Sequence, residues 1–267
     1  MHTSERSEKI RLEGVSKTFE VRGSTVQALL PTDLKIYEGE FVALIGPSGC
    51  GKSTILNMIS GMAPPTTGSV TYDGKLVSGV NRRVGYMTQK DTLLPWRTTA
   101  DNIGISLELA CSAVSARERH ERVTEMIELV GLKGFESHYP GELSGGMRKR
   151  AALARSLIYK PETLLMDEPF GALDAQLKLV MQEELLKLVA LRSMTTVFVT
   201  HDLGEAIALA DRVLVFSGRP GHVKALRNVS IPKPRDMIRV RFEPEFAKLH
   251  EDLWEQLKAD LLEEAFA

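Results

Sequence analysis

Two kinds of hydrophobic pattern alternate along the chain. Short runs that are almost entirely apolar are typical of strands buried on both faces of a parallel sheet. Such runs occupy 41–45, 163–166, 195–199 and 212–216. Elsewhere apolar residues recur at helical spacing, across 123–130 and 176–191. Strands that alternate with helices predict an α/β fold whose ligands lie at the carboxyl ends of the strands.

The beginning of the chain has a different character. Apolar positions across 9–37, around a turn near 22–24, predict antiparallel strands in an edge sheet. Further strands are expected at 69–74 and 84–87, and the stretch 93–161 is expected to be mainly helical.

The C-terminal part of the chain divides by charge. Residues 219–241 hold seven Lys/Arg and one acid, whereas 243–267 hold eight acids and two lysines. Prolines in the basic part predict an extended arm. Beyond it, apolar residues three or four positions apart predict an amphipathic helix. They are Phe246, Leu249, Leu253, Leu257 and Leu261. We favour a tail that packs on its own chain; the alternative is a regulatory or membrane-surface segment.

Composition narrows the function classes. The 267 residues carry a net charge of −1, so no nucleic-acid partner is indicated. The two cysteines, Cys50 and Cys111, give no disulfide framework, which fits a reducing compartment. No apolar run approaches the roughly 18 residues of a membrane span, and the polar start, 1–9, has no apolar signal-peptide core. We therefore expect a cytoplasmic chain that reaches a membrane only through a partner.

One stretch directly after the run at 41–45 carries a specific chemistry. It fits G-x-x-x-x-G-K-[ST], the phosphate-binding loop, and an apolar stretch of helical character follows it. Its glycines let several backbone N–H groups point at one anion, and the next helix adds the positive end of its dipole. Lys52 can reach the β- and γ-phosphates, and Ser53 can bind Mg²⁺. The loop consists of Gly46, Pro47, Ser48, Gly49, Cys50, Gly51, Lys52, Ser53 and Thr54.

Two other strand ends carry candidate catalytic groups. Asp167 and Glu168 follow the run at 163–166. Asp167 is suited to Mg²⁺ and Glu168 to polarising a water, although a pair of helix-capping acids is the ordinary alternative. His201 follows the run at 195–199 and would lie at the same edge of the sheet, whereas most histidines in such places are surface residues.

Two further candidates carry weaker signals. Phe19 lies near a strand end, where it is either an aromatic that stacks on a nucleobase or a core residue. Ser144 precedes two glycines and is a plausible N-cap of a helix whose exposed N–H groups could bind an anion. Caps of this kind are common, so this signal is weak by itself.

Taken together, these segments resemble the nucleotide-binding subunit of ABC transporters across residues 9–260. The matching residues are the phosphate loop, Gln89, Leu143-Ser144-Gly145-Gly146, Leu164-Leu165-Met166-Asp167-Glu168, Asp174 and His201. The Leu-Ser-Gly-Gly run is highly specific, and the sequence has no Asn-Lys-x-Asp segment of the GTPase type. The resemblance implies an α/β P-loop NTPase core with a mainly parallel sheet, an antiparallel β edge subdomain and an α-helical signature subdomain.

Within one chain, the resemblance implies a site for ATP and Mg²⁺. Phe19 would stack on adenine, and the loop at 46–54 would hold the phosphates. Ser53, Gln89 and Asp167 would serve Mg²⁺, with Asp167 acting through water. Gln89 would also report to the permease.

The remaining matching positions would act at the γ-phosphate. Glu168 would be the general base, and His201 would be the switch histidine. In a head-to-tail dimer that encloses two ATP molecules, the signature residues of one chain would bind the γ-phosphate held by the other. These residues are Ser144, Gly145 and Gly146, with Asp174 at the dimer seam.

The signature departs from the family pattern at two positions. Met147 and Lys149 stand where Gln is most often found, while Arg148 and Arg150 remain. These side chains do not alter the backbone N–H donors of the signature run, so hydrolysis is expected. The two substitutions could change its rate or the affinity of the dimer.

Two stretches resemble one group of importers more closely. Residues 89–98 and 217–221 are similar to segments of the nitrate, sulfonate and taurine importers, a group that also carries thiamine precursors and bicarbonate. The expected function is the ATP-hydrolysing subunit of such an importer. The alternatives are a soluble ABC protein of translation or DNA repair and a non-catalytic regulatory cassette.

The resemblance also implies partners and domains. The partners would be an integral membrane permease dimer, docked by 89–102, a second copy of the chain with ATP and, indirectly, an extracytoplasmic solute-binding protein. The chain would lie peripherally on the cytoplasmic face of the inner membrane. The cassette would span 1–218, with a helical subdomain at 90–160, and a C-terminal extension would span 219–267.

Overall fold

The structure is a computed structural model that describes residues 7–21, 23–109 and 114–266. The first six residues of the polar start, Arg22 of the predicted turn and Cys111 lie outside the described residues. Contacts divide the chain into two units. The loop unit comprises Met1–Arg82 and Leu188–Ala267, and the signature unit comprises Arg83–Lys187.

The helices and strands follow the predicted alternation. The strands are β1 (Glu8–Val21), β2 (Ser24–Tyr37), β3 (Phe41–Ile45), β4 (Thr67–Tyr72), β5 (Lys75–Leu76), β6 (Val84–Met87), β7 (Thr163–Asp167), β8 (Thr195–Val199), β9 (Arg212–Phe216) and β10 (Val223–Asn228). The helices are α1 (Lys52–Ile59), α2 (Thr99–Leu109), α3 (Ala116–Leu129), α4 (Gly145–Leu157), α5 (Ala175–Arg192), α6 (Leu203–Leu209) and α7 (Pro244–Phe266). Short 3-10 turns lie at Pro140–Glu142 and Arg239–Phe242.

The loop unit contains the edge sheet that the beginning of the chain predicts. Strand β1 pairs antiparallel with β2 on one side and with β4 on the other, and β5 pairs with β4. Leu12 lies opposite Leu34 and Val70, and all three side chains are buried. The apolar positions of the first strands therefore form one face of a packed sheet.

The second sheet of the loop unit is built around β3. This strand is flanked by β8 and β9, both parallel to it, and all five of its residues are fully buried. The rings of Phe41 and Phe198 pack with centroids 5.8 Å apart. Because β3 and β8 are parallel neighbours, the chain leaves both strands at the same edge of the sheet.

The signature unit combines two parallel strands with helices. Strand β6 pairs with β7 so that Met87 lies opposite Met166. Helix α2 packs against α3 and α4. Helix α3 begins after Ser115, whose hydroxyl accepts a hydrogen bond from the N–H of Glu118 at 3.2 Å. Capping by Ser115 explains why the polar sequence 116–122 starts a helix.

The C-terminal helix α7 confirms the predicted amphipathic stripe. Phe246, Leu253 and Leu257 are buried and Leu249 is half-buried, whereas the side chain of Leu261 lies outside the described residues. Helix α7 packs against α6 and β9, and Arg227 of β10 binds Asp252 of α7 through both carboxylate oxygens. The stripe therefore packs within the loop unit, as the favoured interpretation required.

The basic arm between β9 and α7 is only partly extended. Strand β10 pairs antiparallel with β9, but Arg239–Phe242 forms a 3-10 turn. Arg235 is buried and donates to the carbonyl oxygens of Ile207 and Ala210, at 3.0 and 2.7 Å. These bonds satisfy a cation that would be costly to bury alone. The division of the chain at residue 218 remains a proposal.

Within the described ranges, none of the helices has the length and apolarity needed to cross a bilayer.

Candidate functional site

The phosphate loop leads from buried β3 to the start of α1. Gly51, the residue before α1, has a φ of 94°. Its position requires the left-handed region, which glycine adopts without strain. Gly51, the N-cap residue, has no side chain with which to cap the helix. A helix start of this kind presents its first N–H groups to an anion, as in a phosphate site.

Lys52 places its charge inside the loop. The side chain is buried, and Nζ donates to the carbonyl oxygens of Gly46 at 2.7 Å and Pro47 at 2.6 Å. The sulfur of Cys50 lies 3.5 Å from Nζ and is fully buried, as expected of a small packing side chain. Ser53, by contrast, is exposed at the start of α1. The loop therefore offers an ammonium and a hydroxyl in addition to its backbone donors.

The back of the loop is braced by the turn that follows β9, which sequence reasoning missed. A Cβ on Gly46 would lie 2.8 Å from the carbonyl oxygen of Phe216, and a Cβ on Gly221 would lie 1.8 Å from that of Cys50. Arg219 Nε donates to the Gly49 carbonyl oxygen at 3.3 Å. In the sequence, 217–221 resembles a segment of an importer group, and Gly221 is the signal of a close backbone approach.

His201 and Phe19 occupy exposed positions of the loop unit. His201 follows β8 and so leaves the sheet at the same edge as the phosphate loop, which follows β3. Phe19 is 41% exposed on β1, with Lys17 Nζ 5.3 Å from its ring centroid. It is therefore not a core aromatic.

The signature unit brings two predicted catalytic residues into contact. Strand β7 ends at Asp167, which is 4% exposed, and Glu168 follows with a φ of 49°. Because β6 and β7 are parallel neighbours, Gln89 reaches the same edge, and its Nε2 donates to Glu168 Oε2 at 3.2 Å. Burial, together with the negative charge of Asp167, raises the pKa of Tyr86.

The signature run begins α4 in the predicted way. The exposed Ser144 hydroxyl accepts from the N–H of Met147 at 3.3 Å, with Gly145 and Gly146 in the first turn. Asp174 plays a similar part before α5, where its Oδ1 accepts from the N–H of Leu177 at 3.0 Å. Both side chains are helix caps within this chain.

The basic face of α4 holds the segment after β6, which sequence reasoning also missed. Arg148 Nε donates to Asp91 Oδ2 at 3.0 Å, and Arg155 donates to the carbonyl oxygens of Asp91 and Thr92, both at 2.9 Å. Lys149 Nζ donates to the carbonyl oxygen of Gln89. Burial lowers the pKa of Lys149, while the charges of Asp91, Asp167 and Glu168 oppose this shift. The only signal in the sequence was the unusual residue at position 149.

The segment expected to dock a permease is not exposed as a whole. Leu93 is 8% exposed and therefore part of the core, whereas Pro95 is exposed and Trp96 is 71% exposed. Next to Leu93, the backbone of Leu94 exchanges hydrogen bonds with the fully buried Asn102, at 2.7 and 3.1 Å. Leu93 therefore lies outside the exposed part of 89–102, the stretch expected to dock the permease.

The residues present are compatible with Mg²⁺ at a nucleotide. In residues 7–21, 23–109 and 114–266, no three His, Cys, Asp or Glu side chains are grouped to hold a metal by themselves. Mg²⁺ at phosphates is usually bound by one or two protein oxygens together with phosphate oxygens and waters. The Ser53 hydroxyl and the Asp167 carboxylate are donors of this kind.

Comparison with known proteins gives consistent relatives. The ABC_tran family, described as ABC transporter, matches residues 29–171. The ABC transporter ATP-binding protein MJ0412 of Methanocaldococcus jannaschii is 45% identical over 88% of this chain and 87% of that protein. The aliphatic sulfonates import protein SsuB of Bacillus cereus is 40% identical over 88% and 91%. The taurine import protein TauB of Rhizobium johnstonii is 41% identical over 91% and 94%.

A solved structure shares the fold as well as the sequence. The ATP-binding cassette MJ0796, described as a dimer in a post-hydrolysis state bound to ADP and Pi, superimposes with a TM-score of 0.78 at 33% identity. The match covers 84% of this chain and all of that one. The predicted fold and family are thus confirmed, and the protein belongs to the ABC transporter family.

Proposed function

We propose that the protein hydrolyses ATP as the nucleotide-binding subunit of an importer for a small solute of the nitrate, sulfonate or taurine type. The observation that carries hydrolysis is the contact between Gln89 and Glu168, which places an amide donor on a carboxylate suited to be a general base. The importer assignment is supported by relatives named for sulfonate and taurine import.

The loop unit supplies the residues that bind nucleotide. The backbone N–H groups of Gly49 to Thr54 and the Lys52 ammonium bind the β- and γ-phosphates, and Lys52 exchanges its loop carbonyl partners for phosphate oxygens. Phe19, already exposed, stacks on the adenine. His201 donates to the γ-phosphate.

The signature unit supplies the residues that act on water. Glu168 accepts the proton of the attacking water, and the Gln89 amide orients the Glu168 carboxylate for this step. Ser53, Gln89 and Asp167 would hold Mg²⁺. When bound, this ion would supply positive charge that neutralises the phosphate oxygens.

A second copy of the chain completes each site. The start of α4, with Ser144, Gly145 and Gly146, binds the γ-phosphate held by the opposite copy, and Asp174 lies at the seam. The dimeric state of the related cassette supports this arrangement. An integral membrane permease dimer binds the exposed part of 89–102, and a solute-binding protein acts through that permease. The chain is thereby peripheral to the cytoplasmic face of the inner membrane.

Phosphate release from ATP tests this function. The purified chain is expected to release phosphate only when Mg²⁺ is present, and Lys52→Ala is expected to abolish both this release and ATP binding. Lys187→Ala, which removes an exposed lysine paired with Glu184, should behave like the wild type. A wild-type chain that binds ATP but releases no phosphate would instead indicate a regulatory cassette.

Membrane association separates transport from the soluble alternative. Co-expression with any permease genes that lie adjacent to the coding sequence should give a complex that survives purification. A chain that hydrolyses ATP but remains separate from every such permease would favour a soluble ABC protein.

A further inference from the structure

Lys149 occupies a position that the proposed mechanism leaves without a role. Its ammonium donates to the carbonyl oxygen of Gln89, and it lies close enough to Asp91, Asp167 and Glu168 for their charges to act on it. The side chain of Lys149 is half-buried, whereas Gln89 is exposed, so this hydrogen bond lies at the boundary with solvent.

We propose that Lys149 is a positioning residue for hydrolysis, holding the backbone of Gln89 so that the Gln89 amide stays on the Glu168 carboxylate. The inference rests on the proposed function, because it assigns a role within the same reaction.

The contacts form a continuous chain of fixed groups. Lys149 is on α4 and binds the main chain of Gln89, while the side chain of the same glutamine binds Glu168 Oε2 at 3.2 Å. Glu168 itself directly follows buried β7. Without the Lys149 contact, the backbone of Gln89 would be less restrained, and so would the Gln89 amide that binds Glu168.

The neighbouring basic residues do not duplicate this contact. Arg148 and Arg155 hold Asp91 and Thr92, which lie two and three positions beyond Gln89. Lys149 is the residue of this basic face that binds position 89 itself. A charged donor also makes a stronger hydrogen bond to a carbonyl than the neutral amide of a glutamine would.

Steady-state kinetics test the proposal. Lys149→Met keeps the aliphatic stem and removes the donor, and we expect kcat to fall about tenfold, the loss expected of one charge-assisted hydrogen bond. KM for ATP should change by less than about twofold, because the residues proposed to bind the phosphates and the adenine, in the phosphate loop and at Phe19, are untouched. Lys149→Arg should restore most of kcat. Lys133→Met, the same substitution at an exposed ion pair with Glu128, should leave both constants unchanged.

A double-mutant cycle distinguishes positioning from general stabilisation. If Lys149 acts through Gln89, Lys149→Met should have no further effect on kcat in a Gln89→Ala background. Equal effects in both backgrounds would overturn the proposal, as would an unchanged kcat. Should Lys149→Met fail to fold, Lys149→Leu, which also lacks a donor, takes its place in the same cycle.

Hydrogen exchange gives a readout that does not need turnover. In Lys149→Met, exchange of amides in 89–92 should speed up, while Lys133→Met should leave them unchanged. Unchanged exchange would overturn the positioning role even in an active enzyme. A wild-type chain without hydrolysis would overturn the proposed function, and the exchange result would still decide whether Lys149 holds this segment.

Discussion

Glu168 stands in a backbone conformation that side chains rarely adopt. Its φ of 49° lies in the left-handed region, at a cost on the order of 1 kcal/mol. Such conformations persist where the surrounding structure fixes them. Here the preceding strand is fully buried and the carboxylate accepts a hydrogen bond from Gln89. The backbone conformation and this hydrogen bond therefore both orient the carboxylate.

Replacing this carboxylate should separate binding from turnover. Glu168→Gln keeps the shape of the side chain but removes its ability to accept a proton, so phosphate release should fall about 10² to 10⁴-fold. ATP binding, measured by equilibrium titration, should persist. Near wild-type hydrolysis by this variant would exclude Glu168 as the base.

The sequence allowed the residues of the loop and of the strand ends to be predicted, but not all of their contacts. Lys52 and Glu168 belong to short motifs whose backbone context is local. The bonds from Lys149 to Gln89 and from Arg155 to Thr92 join residues 60 and 63 positions apart. These bonds depend on how α4 packs, and no local pattern encodes that packing.

At the scale of elements, the segment between β6 and α2 combines a fixed backbone with an exposed ring. Asn102 Nδ2 donates to the carbonyl oxygens of Leu94, Arg97 and Thr98, at 3.1, 3.0 and 3.0 Å. Trp96 projects from this frame and is 71% exposed. A rigidly presented aromatic is a common anchor at protein interfaces.

Trp96→Ala should therefore weaken co-purification with the permease and leave the free chain folded. Trp254→Ala on α7, at 46% exposure, provides the matched control and should not affect the complex. The amount of permease recovered with each variant and the melting temperature of each free chain are the measurements. Full recovery with Trp96→Ala would place the docking surface elsewhere.

Helix α7 contributes a substantial part of the packing of the loop unit. Leu253 is fully buried, and Leu253→Ala should reduce the free energy of unfolding by about 2–5 kcal/mol. Leu262→Ala, at 52% exposure on the same helix, should have little effect. Denaturant unfolding of the two variants checks this difference.

Truncation after Arg241 removes the whole helix and should destabilise or aggregate the protein. Any folded fraction should still hydrolyse ATP, because the proposed nucleotide residues precede the cut. Thermal unfolding and phosphate release are the measurements. A truncated chain that melts like the full one, yet escapes control by solute or permease, would instead identify the tail as regulatory.

At the scale of the whole molecule, one chain offers only part of the donors proposed for the γ-phosphate. The start of α4 would supply the remainder to an opposite copy through charge-assisted hydrogen bonds. Light scattering of Glu168→Gln should show a dimer with ATP and a monomer with ADP. Unchanged mass with ATP would mean that the head-to-tail arrangement is wrong or that Met147 and Lys149 weaken it, and Lys52→Ala should stay monomeric throughout.

The architecture was more predictable than the course of the tail. Buried β3, β7, β8 and β9 are continuous apolar runs, so their sequence identifies them without reference to other elements. Strand β10 alternates half-buried and exposed residues within a basic segment, and only its pairing with β9 makes it a strand. The local sequence alone therefore does not identify β10 as a strand.

The turn after β9 packs so closely against the phosphate loop that a position far along the chain must also be glycine. Any side chain at Gly221 would collide with the carbonyl oxygen of Cys50, since even a Cβ would approach it to 1.8 Å. Selection for nucleotide binding in a saturation library should therefore exclude alanine at Gly221 as firmly as at Gly46. Gly221, which lies beyond His201 in the sequence, would then tolerate as few substitutions as a glycine of the phosphate loop.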